Sequence, residues 1–220
     1  MRVGVAKYKV ERDKSIKEYL EILRKSLPNH LDLFVGPDYA LSHRFDQVST
    51  IAEGRDLREY LLRLSRHFPD TTIIPGTLPL QINKKEMQHL ALVYQNGREM
   101  AFAKQTDHGE EETAEKAGLE YKKGEAVPAV FSIDGKKAWI HICGDRGRTQ
   151  NVYDADLEII LAQDIKAGFH FGAATPRNPR HLILSDSYHP KAEILRFSPP
   201  NTHKLLKPIE EINSLRIFEI

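Results

Sequence analysis

The chain has 220 residues, with 32 Lys and Arg against 31 Asp and Glu, 40% hydrophobic residues and one cysteine. This near balance of charge supplies no global field to attract nucleic acid or an anionic membrane surface. A single cysteine also excludes an intramolecular disulfide framework and a cysteine-rich zinc module. No apolar run approaches the ~18 residues that span a bilayer. The start, M-R-V-G-V-A-K-Y, lacks the long apolar stretch of a signal peptide. The expectation is one cytoplasmic domain, residues 1–220.

Arg2–Ala6 reads as a short buried strand. A helix follows, capped at Asp13, with Ile16, Tyr19, Leu20, Leu23 and Leu27 at helical spacing until Pro28 stops it. Leu31–Val35 is the next strand, and Gly36-Pro37-Asp38-Tyr39-Ala40-Leu41 is the loop at its carboxyl end. This βαβ unit predicts parallel pairing with a right-handed crossover. Leu57, Leu61, Leu64 and Phe68 mark one face of a helix over about Gly54–His67, and Thr71–Gly76 supplies a strand that Pro75 cuts short.

From there the pattern becomes antiparallel. Gln88–Tyr94 and Arg98–Ala103 flank Asn96-Gly97, and Val130–Ile133 and Lys136–Ile142 flank Asp134-Gly135; both dipeptides are strong hairpin signals. Leu157–Ala162 reads as a buried strand, Arg180–Ser185 with Glu193–Phe197 as a third hairpin-like pair, and Leu215–Ile220 as a closing strand. Parallel βα units followed by hairpins predict an α/β (α+β) protein, with a mixed sheet or two sheets covered by helices. Two irregular segments, His108–Glu125 and Lys166–Asn178, are long enough to suggest functional loops.

Three chemistry-bearing residues fall at strand ends. Asp38 follows the second strand, Lys104 follows the Asn96-Gly97 hairpin, and Cys143 ends the Asp134-Gly135 hairpin in A-W-I-H-I-C-G-D-R-G-R. If those strands run adjacent and point the same way, an acid, an ammonium and a thiol meet. The carboxylate can take the thiol proton and later activate water. Lysine and the backbone N–H of Gly144 can hold an oxyanion, and the thiolate can attack a carbonyl or nitrile carbon.

On these motifs the chain resembles the nitrilase, or carbon–nitrogen hydrolase, superfamily. The family's strand–Pro-Glu motif is matched by L-D-L-F-V-G-P-D-Y-A-L, its lysine motif by M-A-F-A-K-Q-T-D-H-G-E-E-E, and its cysteine motif, I-C-Y-D-x-R, by I-C-G-D-R at Cys143, Asp145 and Arg146. The late segment H-L-I-L-S-D-S-Y-H-P-K-A-E-I-L-R-F is similar to the family's strand–turn–strand ending. The resemblance implies an α-β-β-α sandwich and a thiol-dependent hydrolase of a small amide, less favourably a nitrile, with no cofactor and no metal. It assigns Cys143 as nucleophile, Asp38 as acid and base, and Lys104 with Gly144 as oxyanion donors. Glu111 or Glu112 would orient the lysine, in a run that also contains Glu110. Asp145 and Arg146 would brace the turn. It also implies pairing of copies into a homodimer or a higher homo-oligomer. Arg148 and Arg177 are candidates, on charge alone, for gripping a substrate carboxylate.

Four features depart from the family pattern. Asp38 stands where the family carries glutamate, one methylene longer, and Gly144 replaces an aromatic residue. Only a short helix fits between Cys143 and Asp156-Leu157, and Q-D-I-K-A-G-F-H-F-G-A-A-T-P-R-N-P replaces a long helix after Ala162. These departures predict shortened outer helices. They also sustain a second reading, a catalytically impaired nitrilase-fold protein serving as a binding or assembly module. His141, two residues before Cys143, admits a Cys–His pair, but neighbours at that spacing are roughly 6–7 Å apart, long for proton transfer. His108, His170, His181 and His189 form no spaced ligand motif.

Overall fold

The computed structural model describes residues 1–10, 16–42, 47–125, 129–147, 155–163, 181–188, 191–198 and 202–220, with backbone alone for 146, 147 and 198. Arg148, Arg177 and segment 166–178 therefore lie outside the described residues, as does the side chain of Arg146.

The first half forms strands β1 (Arg2–Ala6), β2 (Leu33–Val35) and β3 (Thr72–Ile74), with helix α1 (Ile16–Ser26) between the first two and α2 (Ile51–His67) between the last two. Both strand pairs are parallel, as the βαβ pattern predicts. The α2 helix begins earlier than its apolar spacing suggests, because Thr50 and Glu53 form a reciprocal capping box that satisfies its first N–H groups. Strand β4 (Thr77–Gln81) is not foreseen in the sequence, since Pro79 interrupts it. It is tolerated because β4 ends the strand order of its sheet, where a missing N–H breaks no central ladder.

The long strand β5 (Glu86–Gln95) pairs antiparallel with β4 and with β6 (Arg98–Ala103). Asn96 and Gly97 at the hairpin tip have φ of 45° and 69°, the two positive values that a tight hairpin turn needs. The segment read as irregular, His108–Glu125, instead contains helix α3 (Glu110–Lys116) and the short strand β7 (Glu120–Tyr121). Its three glutamates begin the helix, where negative charge complements the exposed backbone N–H groups.

A second sheet of six strands holds β8 (Ala129–Ile133), β9 (Lys136–Ile142), β10 (Leu157–Ala162), β11 (His181–Asp186), β12 (Lys191–Ser198) and β13 (Thr202–Leu205). The strands β14 (Glu210–Ile212) and β15 (Leu215–Glu219) return to the first, nine-stranded sheet, where β15 lies antiparallel beside β1.

The sheets pack face to face. Their shared core holds Val3, Val5, Leu33 and Val35 of one sheet against Ile140, Ile142, Ile159 and Leu161 of the other. Tyr19 and Leu23 of α1 and Leu61 of α2 bury the opposite face of the first sheet. This is helix layer on sheet on sheet, with the period-two strand pattern fixing which residues face each layer. Among the described residues no helix is long and apolar enough to cross a membrane.

Candidate active site

The ends of β2, β6 and β9 carry Asp38, Lys104 and Cys143. Asp38 sits in the loop after β2, which crosses the end of β3 closely. A Cβ on Gly36 would lie 2.5 Å from the Pro75 carbonyl oxygen, so glycine alone fits there. Asp38 is wholly buried, and its Oδ1 accepts hydrogen bonds from the Tyr39 N–H at 3.1 Å and from the Thr77 hydroxyl. His89 Nε2 lies 3.1 Å from the same oxygen. The other oxygen, Oδ2, is buried with no hydrogen-bond partner among the described residues.

Lys104 is only 1% exposed. Its N–H donates to the His89 carbonyl at 2.8 Å, which carries the β5–β6 ladder one residue further and fixes the side chain's origin. Lys104 Nζ donates to Glu110 Oε1. Burial disfavours the ammonium, but the Asp38 and Glu110 carboxylates outweigh it and raise the Lys104 pKa. Lys104 is a buried cation held by carboxylates.

The glutamate that meets this lysine is Glu110. The expectation for Glu111 and Glu112 is corrected here: both are exposed, Glu111 pairing with Lys123 and Glu112 with Lys116. The first turn of α3 turns only its first glutamate inward. Besides Lys104, Glu110 accepts from Tyr39 Oη at 3.2 Å and from the His108 N–H at 2.7 Å. Burial alone would raise its pKa; His89 and Lys104 reverse that and hold the carboxyl well below the usual range.

Cys143 occupies the first position after β9 with φ of 48°, in the left-handed region that a non-glycine residue seldom adopts. Its Sγ is 3.6 Å from the Gln163 carbonyl. Burial first, then the Asp38 charge, push the thiol up to about 11 against the opposing pull of Lys104. The thiol is therefore protonated at neutral pH. The rate of Cys143 alkylation by iodoacetamide is expected to keep rising beyond pH 9, where an unperturbed thiol of pKa ~8.5 would already level off. A plateau near pH 8.5 would contradict this.

Asp145 ties the cysteine turn to the lysine strand: its carboxylate accepts from the Thr106 N–H at 2.9 Å, the Thr106 hydroxyl at 2.7 Å and the Gln105 N–H at 3.1 Å. Gly144 has a specific neighbour. A Cβ there would fall 2.3 Å from His108 Cε1, so the imidazole from the loop before α3 fills the space a side chain at 144 would need. His141 is directed elsewhere: its Nε2 lies 3.1 Å from Glu158 Oε1, and its ring centroid lies 4.0 Å from that of Trp139. Among the described residues no cluster of three or more His, Cys, Asp or Glu side chains could hold a metal ion.

His89 is the residue the sequence reading misses. Within M-Q-H-L-A-L-V it shares the strand phase of Ala91 and Val93, both in the inter-sheet core. A polar side chain in a core-facing phase was the available signal.

No family model matches the sequence, and no curated protein sequence matches it. Solved structures do match its fold. One is a Glu-to-Gln variant of the amidase from Nesterenkonia sp. AN1, showing Michael addition of acrylamide at its active-site cysteine. It has a TM-score of 0.74 at 14% identity, over 100% of this chain and 93% of that one. A CN-hydrolase superfamily protein from Xanthomonas campestris, with an arsenic adduct in its active site, gives 0.70 at 13%, over 99% and 89%. The glutamine-dependent NAD+ synthetase from Acinetobacter baumannii gives 0.68 at 13%, over 97% of this chain but 48% of that one. The two packed sheets, the helix layer on the first of them and these likenesses together give the chain the fold of the nitrilase, or CN-hydrolase, superfamily.

Proposed function

We propose that this protein hydrolyses the C–N bond of a small amide through a Cys143 thioester. The observation that carries the reading is the buried, unpartnered Asp38 Oδ2 in the same electrostatic cluster as Lys104 and a protonated Cys143 thiol. In this scheme Asp38 Oδ2 takes the Sγ proton as sulfur bonds to the amide carbon. Lys104 and the Gly144 N–H stabilise the oxyanion, and the tetrahedral species collapses with cleavage of C–N. The nitrogen leaves as ammonia or an amine, carrying the proton that Asp38 returns. Asp38 then deprotonates a water that attacks the thioester, releasing the carboxylic acid and restoring the thiol.

That the Nesterenkonia protein is an amidase whose active-site cysteine adds to acrylamide supports this class of reaction. The test is ammonia release from a panel of small aliphatic and aromatic amides and nitriles, measured for wild type and Cys143→Ala. Release that depends on Cys143 supports the reading, and equal release, or none, from both proteins overturns it.

Asp38 suits its pocket better than a longer acid would. Oδ1 is fully engaged by Thr77, Tyr39 and His89 in a site with no exposed surface. Asp38→Glu is expected to overpack it, costing about 1–3 kcal/mol of stability and lowering turnover. A gain in activity would instead mean that the aspartate holds its carboxylate too far from the thiol.

A further inference from the structure

Between the two buried carboxylates stands an imidazole that the scheme above leaves without a role. His89 has no exposed surface. Its Nε2 is 3.1 Å from Asp38 Oδ1 and 2.7 Å from Thr77 Oγ1, and its Nδ1 is 3.2 Å from Glu110 Oε1. The contacts around it favour a proton on each nitrogen. An ionised carboxylate only accepts, so Nδ1 facing Glu110 must carry a proton. Thr77 donates its hydroxyl proton to Asp38 and accepts from the Tyr39 N–H at 2.8 Å. In that arrangement its oxygen accepts from Nε2, whereas a bare Nε2 would place its lone pair 3.1 Å from Asp38 Oδ1.

We infer that His89 is an imidazolium at neutral pH that positions Asp38, pinning Oδ1 so that Oδ2 is the oxygen presented to the thiol. The groups facing it are Asp38 from the β2 loop, Glu110 from α3, Lys104 from the end of β6, and Tyr39, whose ring centroid is 4.5 Å away. With Lys104, His89 brings the buried charges to two cations against two carboxylates. Moving the thiol proton onto Asp38 then relocates one negative charge to sulfur without changing the total. Burial pulls His89 toward neutrality, but Asp38 and Glu110 overcome it and raise its pKa. The positioning role rests on the proposed hydrolase reading; the protonation state does not.

The decisive measurement is a long-range 1H–15N spectrum of the imidazoles in the wild-type protein, with the His89 signals assigned by their loss in His89→Gln. Both nitrogens are expected to be protonated at pH 7.5, and a neutral tautomer there overturns the inference whether or not any amide is turned over. Against an amide that wild type hydrolyses, His89→Gln keeps an N–H toward Asp38 but loses the charge. It is expected to lose kcat with little change in KM and to remove the alkaline limb that tracks the imidazole titration. His89→Ala, which also frees Oδ1, is expected to lose about 100-fold in kcat, the scale of a misplaced reacting group. If no amide is hydrolysed, Cys143 alkylation at pH 8 replaces turnover. Losing the cation beside Asp38 leaves that carboxylate's charge, which raises the thiol pKa, less balanced, so His89→Gln is expected to react about 3- to 10-fold more slowly. A variant indistinguishable from wild type in both rate and pH profile would also overturn the role.

Discussion

Cys143→Ala is expected to lower amide hydrolysis by at least about 10,000-fold, the scale on which removing a covalent nucleophile acts. The wild-type scheme splits C–N cleavage into formation and hydrolysis of a thioester, and alanine offers no atom to form it. The fold should not suffer with the activity. Cys143 packs against the edge of a small apolar cluster and is only partly buried, and its Sγ makes one long contact, to Gln163. Thermal unfolding of the variant should therefore stay within a few degrees of wild type. An inactive protein that also unfolds easily would show only that the residue supports the turn. An inactive and stable one isolates the chemistry.

Lys104→Met is expected to destabilise the protein by about 3–5 kcal/mol, because it removes one partner of a buried ion cluster and leaves the other charges in place. Glu110, 2% exposed, would keep its negative charge beside Asp38 with only His89 to balance both. For a domain of this size each kcal/mol moves the melting temperature by about 2–4 °C, so circular dichroism should register a fall of about 6–20 °C at pH 6.

The wild-type pH profile follows from the same cluster. The depressed Glu110 contributes stability that is present above its ordinary pKa of 4.5 and is lost as pH falls toward its lower folded value. His89 is raised, so its contribution is complete below its ordinary 6.5 and is lost as pH rises through its folded value. Stability from this cluster should therefore be greatest between these limits. Lys104→Met should narrow its deficit in acid, where Glu110 can take up a proton. A melting temperature unchanged by the substitution would mean that the cluster contributes nothing net.

The fold resists sequence matching. A solved structure matches it with a TM-score of 0.74 at only 14% identity, while no family model matches the sequence. Core positions need only suitable volume and the right strand phase. The three strand-end residues and the Asp145 that staples Thr106 to the cysteine turn are constrained by geometry as well. Gly144 shows how a departure can be compensated: the aromatic residue expected there is absent, and the His108 ring occupies the space.

Sequence alone determined the elements whose cause is local. The Asn96-Gly97 and Asp134-Gly135 hairpins follow from residues that tolerate positive φ, and the opening βαβ unit follows from apolar spacing. Asp38, Lys104 and Cys143 could be picked out because each ends a recognisable strand. Tertiary structure decided the rest. Three consecutive glutamates differ only in which side of α3 they occupy, and only packing against β5 and Lys104 separates Glu110 from Glu111 and Glu112. Strand β4 exists because β5 offers it a ladder that Pro79 by itself argues against. His89 lies 51 residues after Asp38 and 21 before Glu110 in the chain, and no local rule joins them. They meet because the loop after β2, the first half of β5 and the first turn of α3 come together, where burial makes every unpaired charge costly and so requires each to find a partner.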